Sequence, residues 1–166
     1  FSGTWRDYEV RTKFRMYNDT ADRGAGIFVY SHISDGNNYH LFVRAKKDEN
    51  GGVFQIKGTE SGSHICGAGA TSTRVPDINE TWNIKARIST LAASTRVAAK
   101  VWQDNETEPA AWEMNTTCFD AGVGFDLFNG TVGLWAKNTV ADFDHLIVEN
   151  MSWTPVITVL QPNLTS

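Results

Sequence analysis

The side chains of this 166-residue chain that could do chemistry are few and scattered. Asp142 and Asp144 stand two apart beside His145, so an extended strand would project both carboxylates from one face. Two readings stand for them: carboxylates bonding nearby loop backbone, or a Ca²⁺ site. A hard cation wants several oxygens, and only two carboxylates are adjacent. Asp7 and Glu9 are also same-face neighbours and read as a solvated strand edge. His32, His40, His64 and His145 are dispersed. His32 and His40 flank one hairpin, but the pattern offers no third metal ligand. No Gly-X-Ser-X-Gly occurs, and neither cysteine has an adjacent histidine. Tyr30, His32, Tyr39 and Arg44 supply the residue types of a polysaccharide lyase if one concave sheet gathers them. The expectation is no catalytic residue, no metal and no cofactor, with Ca²⁺ at Asp142 and Asp144 as the alternative.

Binding chemistry has better candidates. Sugar-reading surfaces combine aromatic platforms with charged or amide groups on rigid strands. Trp102 falls opposite the inward set Val97, Ala99 and Val101, and Trp135 falls opposite Val132, Leu134 and Ala136. Both tryptophans are therefore predicted on faces turned away from the core, where an exposed indole is costly and often functional. Arg11, Lys13, Arg44, Lys85 and Arg87 share outward registers. The predicted carbohydrate-binding set is Trp102, Trp135, Arg11 and Arg44. Trp5, Trp82, Trp112 and Trp153 are assigned to the core or to strand ends.

Two further features place the chain outside the cell. Asn-X-Ser/Thr occurs at Asn18, Asn79, Asn105, Asn115, Asn129, Asn150 and Asn163. Twelve asparagines would give roughly two such sequons by chance. Glycans on most of the seven are expected. Cys66 and Cys118 are the only cysteines. In an oxidising compartment they pair, closing a loop worth ~4 kcal/mol on the chain-entropy model. The chain starts at Phe1 without Met or signal peptide, which reads as a mature or excised segment.

The elements that position these residues are strands. Residues 7–17 alternate, with Tyr8, Val10, Thr12, Phe14 and Met16 on one face and charged residues on the other. Strands are predicted over 24–33, 38–47, 52–60, 81–90, 95–104, 111–118, 130–138, 141–150 and 154–160. Gly/Asn/Asp-rich turns at 34–38 and 48–52 separate the early ones. Residues 61–80 read as an irregular crossing with one short strand, and 119–129 as a loop. No stretch keeps helical periodicity. The fold class is all-β: a two-sheet antiparallel jelly-roll sandwich over 1–153, with a terminal strand or tail over 154–166. Val10, Phe14, Leu41, Ile84, Ile88, Val101, Leu134 and Val148 are predicted inward.

Three blocks carry a family resemblance. DYEVRTKFRM, GAGIFVY and NNYHLFVRA form the first; TWNIKARIS and TRVAAKVWQD the second; NGTVGLWAKNTVADFDHLIVEN the third. In this order they resemble the concanavalin A-like lectin/glucanase superfamily, especially its laminin-G-like and keto-disaccharide-hydrolase-like branches. The resemblance spans about residues 7–150 and implies the jelly-roll fold. It does not choose a function, because that fold hosts lectins, glycosidases, lyases and structural modules. The Glu-X-Asp-X-X-Glu strand of the glucanase branch, which sets two carboxylates about 5–5.5 Å apart, has no counterpart here.

The bulk numbers narrow the partners. Net charge is −4, with acids and bases interspersed, which disfavours nucleic acid. No apolar run approaches the ~18 residues that span a bilayer. The expected function is an extracellular, non-catalytic module binding a glycan or surface polymer. One alternative is a glycosylated filament, sheath or matrix subunit, its copies joined through the tail. The other is a polysaccharide-degrading enzyme.

Overall fold

Eleven strands and no helix make up the described part of the chain. The computed structural model describes residues 7–17, 22–34, 37–48, 51–60, 63–64, 66, 69–91, 94–119 and 131–151. The strands are β1 (Tyr8–Met16), β2 (Arg23–Ser34), β3 (Asn37–Asp48), β4 (Gly51–Glu60), β5 (Ser63–His64), β6 (Ala70–Thr71), β7 (Thr81–Leu91), β8 (Ser94–Gln103), β9 (Met114–Phe119), β10 (Thr131–Lys137) and β11 (Ala141–Asn150). They form two antiparallel sheets. One has five strands in the order β11-β1-β7-β8-β9. The other has six: β10-β2-β3-β4-β5, with β6 also pairing β4. The all-β two-sheet sandwich expected from strand alternation is the fold observed. The expected strand at 154–160 lies outside the described residues.

Period-two alternation builds the core. Val10, Phe14 and Met16 of β1, Ile84, Ala86 and Ile88 of β7, and Val97, Ala99 and Val101 of β8 are all buried. They face Ala25 and Ile27 of β2, Leu41, Val43 and Ala45 of β3, and Phe54 and Ile56 of β4. Aromatic rings cross the gap: Phe54 packs edge-on against Phe14 at 6.3 Å and tilted against Trp82 at 4.8 Å. The Tyr8 hydroxyl donates to the Val29 carbonyl at 2.5 Å and so joins β1 to β2 across the sandwich. Burial, then the neighbouring Tyr30, pushes the Tyr8 phenol well above its ordinary range. A Cys66–Cys118 disulfide adds a covalent tie between the segment after β5 and β9.

Three sequence expectations need correction. Leu134 was expected inward, yet it is 42% exposed. It lies on β10, the edge strand of its sheet, where only one neighbour strand shelters it. Val148, on the opposite edge strand β11, is partly buried against the core. Glu9 is not a solvated edge: β1 lies inside its sheet and Glu9 is 9% exposed. Tyr30 faces the core rather than an outer surface, because an irregularity between Phe28 and Tyr30 shifts the alternation of β2.

Candidate functional site

The outer faces of the two sheets differ in charge. On the five-stranded sheet several cations are met by carboxylates, while Arg15 lies over the Tyr17 ring with its Nε buried and unpartnered. Glu9 receives Lys85 at 2.9 Å and Arg87 at 2.5 Å. Burial raises the affinity of Glu9 for a proton, but hydrogen bonds from Lys85 and Arg87 together outweigh it and hold the carboxyl below its ordinary range. Lys13 meets Asp104 at 2.6 Å, and Arg11 lies 3.8 Å from Glu149. The segment 104–113 folds back over β8. Lys100 donates to the Pro109 carbonyl at 2.7 Å and pairs with Glu108 at 2.6 Å. Arg87 and Lys100 both sit over the Trp112 ring, at 4.8 and 5.0 Å. Trp112 is thus a half-buried cap on the sheet's outside rather than a core residue.

Trp102 points away from the core, as its alternation with Val101 requires, but it is only 9% exposed. It lines a shallow groove of about 260 Å³ with Arg11, Lys13, Asn83, Glu108 and Asp144. The neighbouring carboxylates Asp142 and Asp144 lie at this edge. Asp142 accepts from the Tyr17 hydroxyl at 2.5 Å, and Asp144 contacts His145. Among the described residues no group of three or more His, Cys, Asp or Glu is gathered for a metal.

The outer face of the six-stranded sheet is built differently. Its register forms successive cross-strand rows. Thr131, Ser31 and His40 align on β10, β2 and β3. On β10, β2, β3 and β4 the next rows are Gly133, Phe28, Phe42 and Lys57; Trp135, Gly26, Arg44 and Gln55; and Lys137, Gly24, Lys46 and Val53. With strands about 4.8 Å apart and same-face residues about 6.7 Å apart, the rows cover ~14 by ~20 Å.

An aromatic band runs across them. Phe28 lies 4.6 Å from Phe42 and 5.3 Å from His40, and Phe42 lies 5.6 Å from Trp135. Arg44 spreads over both Trp135 at 5.0 Å and Phe42 at 5.6 Å. Its Nε is buried without a hydrogen-bond partner, and it makes no ion pair among the described residues. Glycine makes room for this packing. A Cβ on Gly24 would come 2.8 Å from Trp135 Cζ3, and one on Gly26 would come 2.6 Å from Arg44 Cα. Trp135 and Arg44 therefore lie against backbone that carries no side chains. Ser31 Oγ and His40 Nδ1 share a 2.9 Å hydrogen bond at the polar end. Burial holds His40 below its ordinary range, so the neutral ring prevails at neutral pH.

Cations crowd the other end. Arg44, Lys46, Lys57 and Lys137 occupy these rows, and the nearby carboxylate Asp22 pairs with Lys137 at 2.6 Å. Lys57 is held below the usual lysine range, first by burial and then by Arg44, Lys46 and Lys137. Asp22 is held low mainly by the Lys137 hydrogen bond.

The structure thus separates the four sequence-predicted binding residues. Trp135 and Arg44 are in contact on the six-stranded sheet; Trp102 and Arg11 lie on the five-stranded one. The lyase-type set is divided as well, with Tyr30 in the core and Arg44 outside. His32 is paired with Tyr39 and His40 with Ser31, so the two histidines are not cross-strand partners. Sequence reading missed Phe28, Phe42, Lys57 and the two glycines. The alternation Gly24-Ala25-Gly26 within an apolar run was the available signal, since glycine inside a strand marks a close approach.

The sequons have a side too. Asn79 and Asn105 are exposed in the segments leading into β7 and out of β8. Asn115 is exposed on β9 and accepts from Arg96 Nε at 3.0 Å. Asn150 ends β11, half-buried opposite Tyr8. All four belong to the five-stranded sheet or its connections. Asn18, Asn129 and Asn163 lie outside the described residues, as do Trp5 and Trp153.

No family model matches this chain, and no curated protein matches it in sequence. Among solved structures, it is similar to a carbohydrate binding module from Bacillus subtilis, at 13% identity and a TM-score of 0.40, covering 86% of this chain and 77% of that one. It is also similar to an alginate lyase from Pseudomonas aeruginosa, at 11% identity and a TM-score of 0.43, covering 81% of this chain and 68% of that one. Likeness at this level transfers neither ligand nor activity, and the sandwich stands on the strand pairing itself.

Proposed function

We propose that this protein is an extracellular, non-catalytic module that binds carbohydrate on the outer face of its six-stranded sheet. The observation that carries the reading is the Trp135–Arg44–Phe42 stack on its glycine floor. Aromatic faces stack against the C–H faces of sugars, and the guanidinium and nearby amide supply donors for hydroxyl oxygens. The platform sits on paired strands, so little conformational freedom is lost on binding. No unpaired couple of carboxylates stands on this face among the described residues, which favours binding over glycoside hydrolysis. The disulfide and the sequons support an extracellular setting. No described helix is long and apolar enough to cross a membrane.

The test is a glycan array followed by titration of the hits with Trp135→Ala, Arg44→Ala and Arg11→Ala variants. The first two are expected to weaken binding at least tenfold, and Arg11→Ala to leave it within twofold. Equal losses from Arg11→Ala would move the site to the other sheet. Binding that survives Trp135→Ala unchanged would remove the platform from the reading.

A further inference from the structure

Resting on the carbohydrate-binding reading above, we infer that the ligand is an acidic polysaccharide, one whose sugars carry carboxylate or sulfate groups. The two sheets differ in how their cations are met. A chain of net charge −4 concentrates Arg44, Lys46, Lys57 and Lys137 on one face, where Asp22 pairs with Lys137. On the other sheet, carboxylates answer the cations: Glu9 and Glu108 between them engage Lys85, Arg87 and Lys100. Lys57 and Arg44 make no direct ion pair among the described residues; Asp22, bonded to Lys137, acts on them only from a distance. Lys57 stands across from Phe42 in the next strand, and Arg44 lies over Phe42 and Trp135.

Holding like charges together costs free energy that a neutral ligand would not recover. A ligand anion over this end of the platform would. The geometry also assigns roles. Trp135 and Phe28, both partly exposed, offer ring surface to the sugar above the buried Phe42, while Arg44, which lies over Trp135 and Phe42, and Lys57 meet the acidic groups. Arg44 offers a planar fork suited to carboxylate or sulfate oxygens, and Lys57 a point charge. Nucleic acid would also present anions and stacking faces. The small cationic patch and the acidic remainder of the chain favour the glycan.

The experiment titrates the full chain with matched polymer pairs: polygalacturonate against its methyl ester, and dextran sulfate against dextran, each at 50 and 300 mM NaCl. At least one acidic member is expected to bind tenfold or more tighter than its neutral partner, and to lose most of that margin at high salt. Lys57→Gln should weaken the acidic polymer about fivefold and leave any neutral glycan found on the array unaffected. Thermal unfolding confirms that the variant is folded. Trp135→Ala should weaken acidic and neutral ligands alike. Equal binding of the acidic and neutral members would overturn the acidic assignment while leaving the carbohydrate reading intact. No binding of these polymers or of any array glycan would overturn both. A single-stranded oligonucleotide that displaces the acidic polymer at lower concentration than the polymer itself binds would overturn the assignment in favour of nucleic acid.

Discussion

Replacing Glu9 by glutamine tests whether the outer face of the five-stranded sheet is structural. The carboxylate is 9% exposed, and both oxygens are used: Oε1 by Arg87 and Oε2 by Lys85. Breaking a buried ion pair from one side costs about 3–5 kcal/mol when the remaining charge is stranded. Here the stranding is partial. Lys85 keeps Glu108 at 3.4 Å, Arg87 keeps the Trp112 ring, and the glutamine oxygen still accepts one bond. About 2 kcal/mol is therefore expected, a fall in Tm of roughly 4–8 °C for a domain of this size. The pH dependence separates charge from shape. The folded Glu9 carboxyl is held below its unfolded value, so its contribution is complete above the ordinary carboxylate range and is lost as pH falls through the folded value. Wild type and Glu9→Gln should differ fully at pH 7 and converge toward pH 2.5. The assay is thermal unfolding of both proteins across that range, with glycan titration at pH 7 as a control that should not change. Equal stability at pH 7, or a difference that persists undiminished in acid, would refute the ion-pair account.

Five other outcomes follow from the same geometry. Gly26→Ala would bring a Cβ 2.3 Å from the Val43 carbonyl oxygen, so β2 and β3 must part; a loss of about 1–3 kcal/mol with weakened glycan binding is expected in urea unfolding and titration. Gly133→Ala, whose nearest neighbour would be Phe28 at 4.0 Å, should leave both measurements nearly unchanged. Tyr8→Phe removes the hydroxyl bound to the Val29 carbonyl and leaves that acceptor buried, costing about 1–2 kcal/mol by the same unfolding measurement. Replacing Cys66 and Cys118 together by serine should lower stability by about 2–4 kcal/mol while the far-ultraviolet signal of the sheets persists. Substituting Asn79, Asn105, Asn115 and Asn150 by glutamine should leave affinity at the six-stranded face within twofold; a rise of tenfold would mean that their glycans reach over it.

Most of the fold was legible because burial in a sandwich has the period of the strand itself. β1, β7 and β8 read directly: apart from threonines such as Thr12, alternate residues are apolar, and Val10, Phe14, Met16, Ile84, Ala86, Ile88, Val97, Ala99 and Val101 are buried. Alternation says which side of a strand a residue takes, but not what lies on that side. Leu134 takes the inner side of an edge strand and stays exposed. Trp102 takes the outer side and is buried all the same, on the face where the segment 104–113 folds back over β8. Glu9 looked like a solvated carboxylate because its partners are brought by β7, far away in sequence.

The same limit governed the site. Trp135 and Arg44 were each recognisable as outward residues, but so were Trp102 and Arg11, and register alone cannot assign an outward residue to one sheet or the other. The assignment depends on β10 pairing β2, which sets Trp135 beside Gly26 and, one strand further, Arg44. That pairing also bears on a tension between two expectations from the sequence, that the chain binds glycan and that it carries glycan. The four described sequons and the Glu9–Lys85–Arg87 network belong to the five-stranded sheet; the aromatic band, with Arg44 and Lys57, belongs to the six-stranded one. A sandwich exposes two outer faces that share a core but no side chains, so one can be coated while the other stays open. A bulky glycan needs only an exposed asparagine beside a strand or turn. A ligand platform needs bare backbone beneath the ring, and Gly24 and Gly26 provide it only on the β10–β2–β3 side.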